Sequence, residues 1–336
     1  MKAIGYQKSL PIEQAESLQD ITLADPTPSG RDLLVEIKAI SVNPVDAKMR
    51  MRAEPAPGGW QVLGWDAAGI VRSTGPEAEL FTPGDKVWYA GAIDRPGTNS
   101  ELHLVDERLV GSVPATLDFA QAAALPLTSI TAWEILFDRL QVARDEPGED
   151  TLLIIGAAGG VGSIMVQLAR HLTDLRVIGT ASRPETRSWV EKLGAHEVVD
   201  HSRPLSEELK RIGAAAPRYV VSLNKTDLHF KQIVEVIAPQ GKFALIDDPE
   251  PIDVRLLKRK SVSLHWELMF TRSLFTTPDM IEQHRLLEKV SRLVDEGVLQ
   301  TTFNEHFGTI CADHLKRAHA LLESNRSCGK IVLEGF

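Results

Sequence analysis

With just two cysteines in 336 residues, Cys311 and Cys328, a disulfide framework and a cysteine-rich zinc knuckle are both excluded. An excess of positive charge is missing as well. The balance of 37 basic against 46 acidic side chains gives a formal net charge of −9, which favours solubility and offers no global attraction to nucleic acid. The opening MKAIGYQK lacks the apolar run of a signal peptide and reads as a strand. Internal repeats and low-complexity tracts are lacking, and 43% apolar and 25% charged residues are ordinary for a globular chain. The length suggests two domains. The expectation is a cytoplasmic, enzyme-like protein with a small-molecule partner, no nucleic acid and no membrane.

One stretch has the length of a membrane span. TLLIIGAAGGVGSIMVQLA (151–169) runs for nineteen residues without a charge, and ~20 apolar residues cross a bilayer. Its glycines argue otherwise. Gly156, Gly159, Gly160 and Gly162 fall between β-inclined residues and helix formers, where a span needs continuity. A short buried strand, a tight turn and a helix is the expected division.

Residues 1–115 alternate short apolar runs (33–40, 67–75, 85–91, 101–105) with Gly and Pro, the pattern of a mostly β domain. From 118 to 140 the chain is alanine-rich and helix-like, with a break at Pro126. Strands are then expected at 151–156, 176–181, 197–199, 218–223, 241–246 and 261–266. Helices are expected between and after them at 161–172, 184–193, 204–212, 226–238 and 252–258. Such a series predicts a parallel sheet covered on both faces. Amphipathic helices are expected over 278–296 and 311–324, and 329–336 as a strand returning to the first domain.

Gly156, Gly159 and Gly162 stand at G-x-x-G-x-x-G spacing with Gly160 added, so the strict G-x-G-x-x-G fingerprint is lacking. The physical requirement is met all the same. Glycines let the backbone turn and approach a pyrophosphate, the following helix offers free N–H groups, and Ala158 and Val161 complete the turn. A tight strand–helix connection that binds nothing would carry the same glycines. Also missing is the Asp or Glu that an NAD site places on the ribose 2′-hydroxyl at the end of the next strand. The residues there are Ala181, Ser182 and Arg183, with Arg187 a helical turn further on. A hydroxyl and a guanidinium suit a 2′-phosphate that a carboxylate would repel, which points to NADP(H); two solvated surface arginines are the alternative.

SVNPVDAKMR (41–50) and LGWDAAGIV (63–71) lie in the β-rich part, GAAGGVG (156–162) opens the nucleotide part, and GKIVLEG (329–335) ends the chain. This arrangement resembles the medium-chain dehydrogenase/reductase superfamily over essentially the whole chain, nearest to its quinone oxidoreductase (zeta-crystallin-like) branch. DDPEPIDVRLLKRKSVSLHWELMFTRS (247–273) is similar to the subgroup labelled zinc-type alcohol dehydrogenase-like. The resemblance implies an α/β fold. A GroES-like, β-rich catalytic domain would span 1–126, completed by 271–336, and a Rossmann doubly wound parallel-sheet domain would span 127–270. It also implies a homodimer joined through the nucleotide sheet.

Zinc members of the superfamily place a cysteine where this chain has Asn43. They carry G-H-E where it has Gly64, Trp65 and Asp66, and a second cysteine near Pro126–Leu127. None of these ligands survives, and the four cysteines of a structural zinc lobe are lacking after Trp88. The ten histidines offer no substitute: His314 and His319 are poorly spaced for one ion, and His265 sits in H-W-E rather than H-E-x-x-H. No zinc is expected.

Without a Lewis acid a developing alkoxide is hard to hold, whereas hydride addition to an enone or quinone spreads charge over a conjugated oxygen that hydrogen-bond donors can meet. The resemblance implies the same substrate class. Asn43 is the candidate facing the nicotinamide and the substrate oxygen, and Asp46 the candidate to orient it or relay a proton. Equally, both residues suit a turn before a helix. Trp65 would wall the pocket or serve as core, with Tyr89 and Asn99 on loops that the family brings to the cleft. Met269 and Phe270 would form an apolar face beside the nicotinamide. Thr131 is similar to a threonine beside the nicotinamide ribose, and Asn224 and Asp247, at the ends of the fourth and fifth nucleotide-domain strands, border the crevice where such sheets bind a cofactor. Lys330 would reach the 2′-phosphate, or else cap a surface strand. Two other readings stay open: alcohol or carbonyl redox chemistry of zinc-type ancestry, and a nucleotide-bound structural, sensor or RNA-binding protein, as some members of the resembled family are.

Overall fold

The computed structural model describes residues 1–144, 148 and 150–336. The chain forms two compact units, Met1–Ile130 with Phe270–Phe336, and Thr131–Met269. The division falls inside the helix Pro126–Trp133 rather than at its start.

Asp32–Val42 is the spine of the first unit. Leu33, Val35 and Ile37 are buried in alternation, as a half-solvated strand requires, and from Ala39 to Val42 every residue is buried. This strand pairs antiparallel with Lys330–Glu334, Asp66–Thr74 and Leu102–Asp106. The sheet runs Phe303–His306, Lys330–Glu334, Asp32–Val42, Asp66–Thr74, Lys86–Ala90, Val110–Ser112. Its register sets Ser41 against Asp66 and Val42 against Ile331, so the ends of three strands converge. Glu282–Asp295 covers part of the unit with an apolar face of Leu286, Leu287, Val290 and Val294.

In the second unit six parallel strands follow the order Glu197–Val199, Arg176–Thr180, Thr151–Ile155, Tyr219–Ser222, Lys242–Leu245, Ser263–Trp266. This is the doubly wound order 3-2-1-4-5-6, and it reverses between Thr151–Ile155 and Tyr219–Ser222. Ligands of such sheets bind outside the carboxyl ends at that reversal. The uncharged run 151–169 resolves into the fully buried strand Thr151–Ile155, a turn, and the helix Gly160–Leu172. No helix among the described residues is long and apolar enough to cross a membrane. One expected helix differs: 252–258 is a 3-10 segment, Val254–Lys260, which buries Leu257 alone and so lacks the apolar face that would hold an α-helix.

Candidate active site

Asp66 is the hub of the first unit's polar residues. Its carboxylate is fully buried, a state tolerated when the charge is paired and hydrogen-bonded. Oδ2 accepts from Lys330 Nζ at 2.9 Å, Asn43 Nδ2 at 2.8 Å and Ser41 Oγ at 2.9 Å, and Oδ1 accepts from the backbone N–H of Leu127 at 2.7 Å. Lys330 Nζ donates further to Asn43 Oδ1 at 2.5 Å and to the carbonyl of Val42 at 3.1 Å.

Lys330 is therefore neither a phosphate ligand nor a surface cap. It starts the last strand, is 3% exposed, and turns inward because the buried Asp66 needs a counter-charge. The sequence carried a signal of this: an acidic residue inside the apolar run LGWDAAGIV demands a partner. Register across three strands, not local spacing, assembles Ser41 and Asp66 with Lys330, so the sequence alone does not mark them as site residues.

Asn43 precedes the helix Pro44–Arg52, and its backbone N–H donates to Asp46 Oδ2 at 2.7 Å, half of a capping box. The turn-before-helix reading thus describes the local geometry. Its side-chain amide is held at both ends by Asp66 and Lys330, with one N–H uncommitted among the described residues. Asp46 is also fully buried. Burial pushes its carboxyl up to about 7, against the opposing pull of the Asn43 N–H and the Lys330 ammonium. Its Oδ1 has no partner among the described residues.

Trp65 is fully buried, donates Nε1–H to the carbonyl of Ala92 at 3.1 Å, and meets Phe270 edge-on at 5.9 Å. Tyr89 is a core residue rather than a pocket wall. His103 Nε2 lies 2.9 Å from the Pro96 carbonyl and must donate to it, so Nδ1 accepts the Tyr89 hydroxyl at 2.9 Å, and both rings are buried. Burial lowers the His103 pKa to about 4, so the ring stays neutral. Asn99 is different: its buried side-chain amide has no partner among the described residues. Gly64, at φ +98°, leaves room for it, since a Cβ there would stand 2.4 Å from Asn99 Oδ1.

In the second unit the glycine turn has the form a phosphate cradle requires. Gly156 has φ +82°, and the position of an added Cβ on Gly159 meets nothing nearer than 3.5 Å. Gly162 packs so closely that a Cβ would stand 2.5 Å from the Ala157 carbonyl oxygen. The N-cap of Gly160–Leu172 is Gly159, which has no side chain to meet the helix's first amides. Ala158 is buried, whereas Gly160 and Val161 are half-buried.

At the end of Arg176–Thr180, Ser182 is exposed and Arg183 half-buried beside Glu185 at 3.4 Å. Arg187 is tied back to the carbonyl of Val198 at 2.5 Å. Asn224 is exposed; Thr131 and Met269 are buried. Asp247 stands at the end of Lys242–Leu245. Each of its oxygens accepts from Thr226, one from the backbone N–H at 2.8 Å and the other from the hydroxyl at 2.5 Å, so it holds the first turn of the helix Thr226–Val236.

The three places where zinc-binding members carry ligands, at Asn43, at Gly64 to Asp66 and near Leu127, all touch the Asp66 knot. The donors there do not fit a zinc ion. An indole nitrogen offers no lone pair, Leu127 offers an N–H, and the Lys330 ammonium already answers the carboxylate. No three His, Cys, Asp or Glu side chains among the described residues are grouped to hold a metal.

Residues 29–115 match the alcohol dehydrogenase GroES-like domain and residues 193–333 the zinc-binding dehydrogenase domain. The chain is 39% identical to a zinc-type alcohol dehydrogenase-like protein of Staphylococcus aureus (strain MSSA476), over 99% of each chain. A solved structure from Rhizobium etli CFN 42, bearing the provisional name of zinc-dependent alcohol dehydrogenase protein, is 60% identical. It superposes with a TM-score of 0.97 over 100% of this chain and 98% of its own. Escherichia coli quinone oxidoreductase, solved in complex with NADPH, is 25% identical with a TM-score of 0.84, over 99% of this chain and 100% of its own. The GroES-like unit, the doubly wound sheet and full-length kinship together place the chain in the medium-chain dehydrogenase/reductase superfamily, among the zinc-type alcohol dehydrogenase-like proteins.

Proposed function

We propose that the protein is an NADPH-dependent oxidoreductase that works without zinc and delivers hydride to a quinone or an α,β-unsaturated carbonyl. The observation that carries this reading is the Asp66–Lys330 pair: where relatives hold an ion, this chain has an internal ammonium bound to its own carboxylate. A buried ion pair has no vacant position at which to polarise a carbonyl. A conjugated acceptor needs less, because donors in a water-poor site meet its spread charge.

Bound NADPH supplies the hydride. The glycine turn and the amides of Gly160–Leu172 hold the pyrophosphate, and Ser182 and Arg183 hold the 2′-phosphate, with no carboxylate at that strand end to repel it. NADPH in the quinone oxidoreductase relative favours the same cofactor. Asn43 presents its uncommitted N–H to the substrate oxygen in an orientation fixed by Asp66 and Lys330. Asp46, poised near neutrality, holds the proton that the reduced product requires. Trp65 and Phe270, which meet edge-on, supply apolar walls.

A second reading, alcohol or carbonyl redox chemistry with zinc, takes its support from the names of the Staphylococcus and Rhizobium relatives. One experiment separates the readings: NADPH oxidation by metal-stripped protein across quinones, enones, aldehydes and ketones. Turnover of quinones or enones, unchanged by chelator, is expected. Aldehyde or ketone turnover that appears when zinc is restored would overturn the metal-free site. Tight NADPH binding with no turnover across the panel would point to a sensor.

We also infer a homodimer joined through Ser263–Trp266, the edge strand of the nucleotide sheet. Trp266 is 54% exposed and Leu268 51%, an apolar edge of the kind that recruits a second strand. Trp266→Lys is expected to yield monomers in sedimentation. A wild-type protein already monomeric at micromolar concentration would sink this inference.

A further inference from the structure

Two histidines at the carboxyl edge of the nucleotide sheet have no part in the chemistry above. His201 follows the strand Glu197–Val199, and His229 lies in the first turn of Thr226–Val236. Their rings meet edge to face, 5.8 Å apart at 66°. His201 Nδ1 is 3.0 Å from the hydroxyl of Thr180, and that hydroxyl accepts the N–H of Gly156, the first glycine of the turn, at 3.1 Å. Thr180 Oγ1 accepts the Gly156 N–H and keeps both its proton and a second lone pair for His201 Nδ1, so the direction of that contact follows the imidazole's protonation. His201 Nε2 has no hydrogen-bond partner among the described residues. His229 Nδ1 is buried and likewise without a partner.

The charged groups around the pair are mixed. Asp200 and Lys225 act on His201; His201 itself, Lys225, Asp227 and Asp247 act on His229. Asp247 is occupied by Thr226, and Asp200 by Ser202. Burial, more than any neighbour, holds both histidines below the usual imidazole range, so they are neutral near pH 7 in the absence of ligand.

We infer that His201 and His229 form a proton-linked clamp for the 2′-phosphate of the dinucleotide. The inference rests on the NADP(H) reading above. Thr180, to which His201 is bonded, stands just ahead of Ser182 and Arg183 on the strand end that receives the 2′ position. A dianion there stabilises an imidazolium; a ribose hydroxyl does not. Binding NADPH therefore draws a proton onto the pair, and binding NADH does not.

A group whose pKa rises on binding takes up protons, so its contribution to affinity is present at low pH and lost as pH rises through the pKa of the complex. Each unit of rise strengthens binding about tenfold below both values. The nucleotide's own phosphate, with a second pKa of about 6, would release protons on meeting a cationic site, so the direction of proton flow separates the two.

The test is calorimetric titration of NADPH and of NADH into the full chain at about pH 6.5, where an imidazole titrates, in two buffers of different ionisation enthalpy. Wild type, His201→Gln and His229→Gln are compared. Net proton uptake with NADPH, absent with NADH and diminished in His201→Gln, is expected, together with NADPH affinity that weakens about tenfold between pH 6 and pH 8. Net release, equal uptake with both nucleotides, or uptake unchanged in His201→Gln would overturn the clamp. Should a variant fail to fold, the wild-type sign still decides. NADPH binding no tighter than NADH would sink the NADP(H) reading and the clamp with it, whereas strong NADPH preference without uptake would sink the clamp alone.

Discussion

Replacing Lys330 by methionine is expected to cost about 3–5 kcal/mol of folding stability, the range for stripping one partner from a buried ion pair. The carboxylate of Asp66 would keep Ser41, Asn43 and the Leu127 N–H as donors but lose its counter-charge in a site that water does not reach. Neutralising both partners should behave differently. In Lys330→Met with Asp66→Asn no charge is left to desolvate, so the double variant is expected to recover most of the loss. Urea unfolding of the three proteins checks this. A loss of under about 1 kcal/mol in the single variant, the yield of a solvated surface pair, would show that the ammonium is not held inside.

The same pair shows where sequence stops being legible. The doubly wound sheet was readable because each strand is a local apolar run, and 151–169 betrayed its turn through glycines whose positive φ or close packing no other residue serves. The zinc ligands could be crossed off by residue type. What occupies their place could not be read: Lys330 lies far along the chain from Asn43 and Asp66, and antiparallel register alone brings them together. Tyr89 looked like a loop residue near a cleft, but its hydroxyl finds His103 on an adjacent segment and closes into the core. Asp247 ends a strand, and nothing in its spacing shows that Thr226 donates to both of its oxygens. Spacing reveals periodic structure; it does not reveal which polar side chains satisfy one another.

Reversing the charge at Arg183 tests the strand end that distinguishes one nucleotide from the other. The residue is half-buried, 32% exposed, and its guanidinium lies 3.4 Å from Glu185. A 2′-phosphate carries about −1.5 to −2 charges near neutral pH. Each pair of unit charges 4 Å apart is worth about 1 kcal/mol in water and up to about 4 kcal/mol near a protein surface. Arg183→Glu exchanges attraction for repulsion, and with Glu185 it creates the acidic strand end of an NAD site. NADPH is expected to bind at least about a hundredfold more weakly, or about 2.7 kcal/mol. NADH, which lacks the phosphate, should change by less than about threefold. The contrast should shrink as salt is raised, since the site is within reach of solvent. Fluorescence titration of both nucleotides at two ionic strengths decides it, and an equal loss for both would remove Arg183 from the phosphate site and leave the glycine turn as a general pyrophosphate cradle.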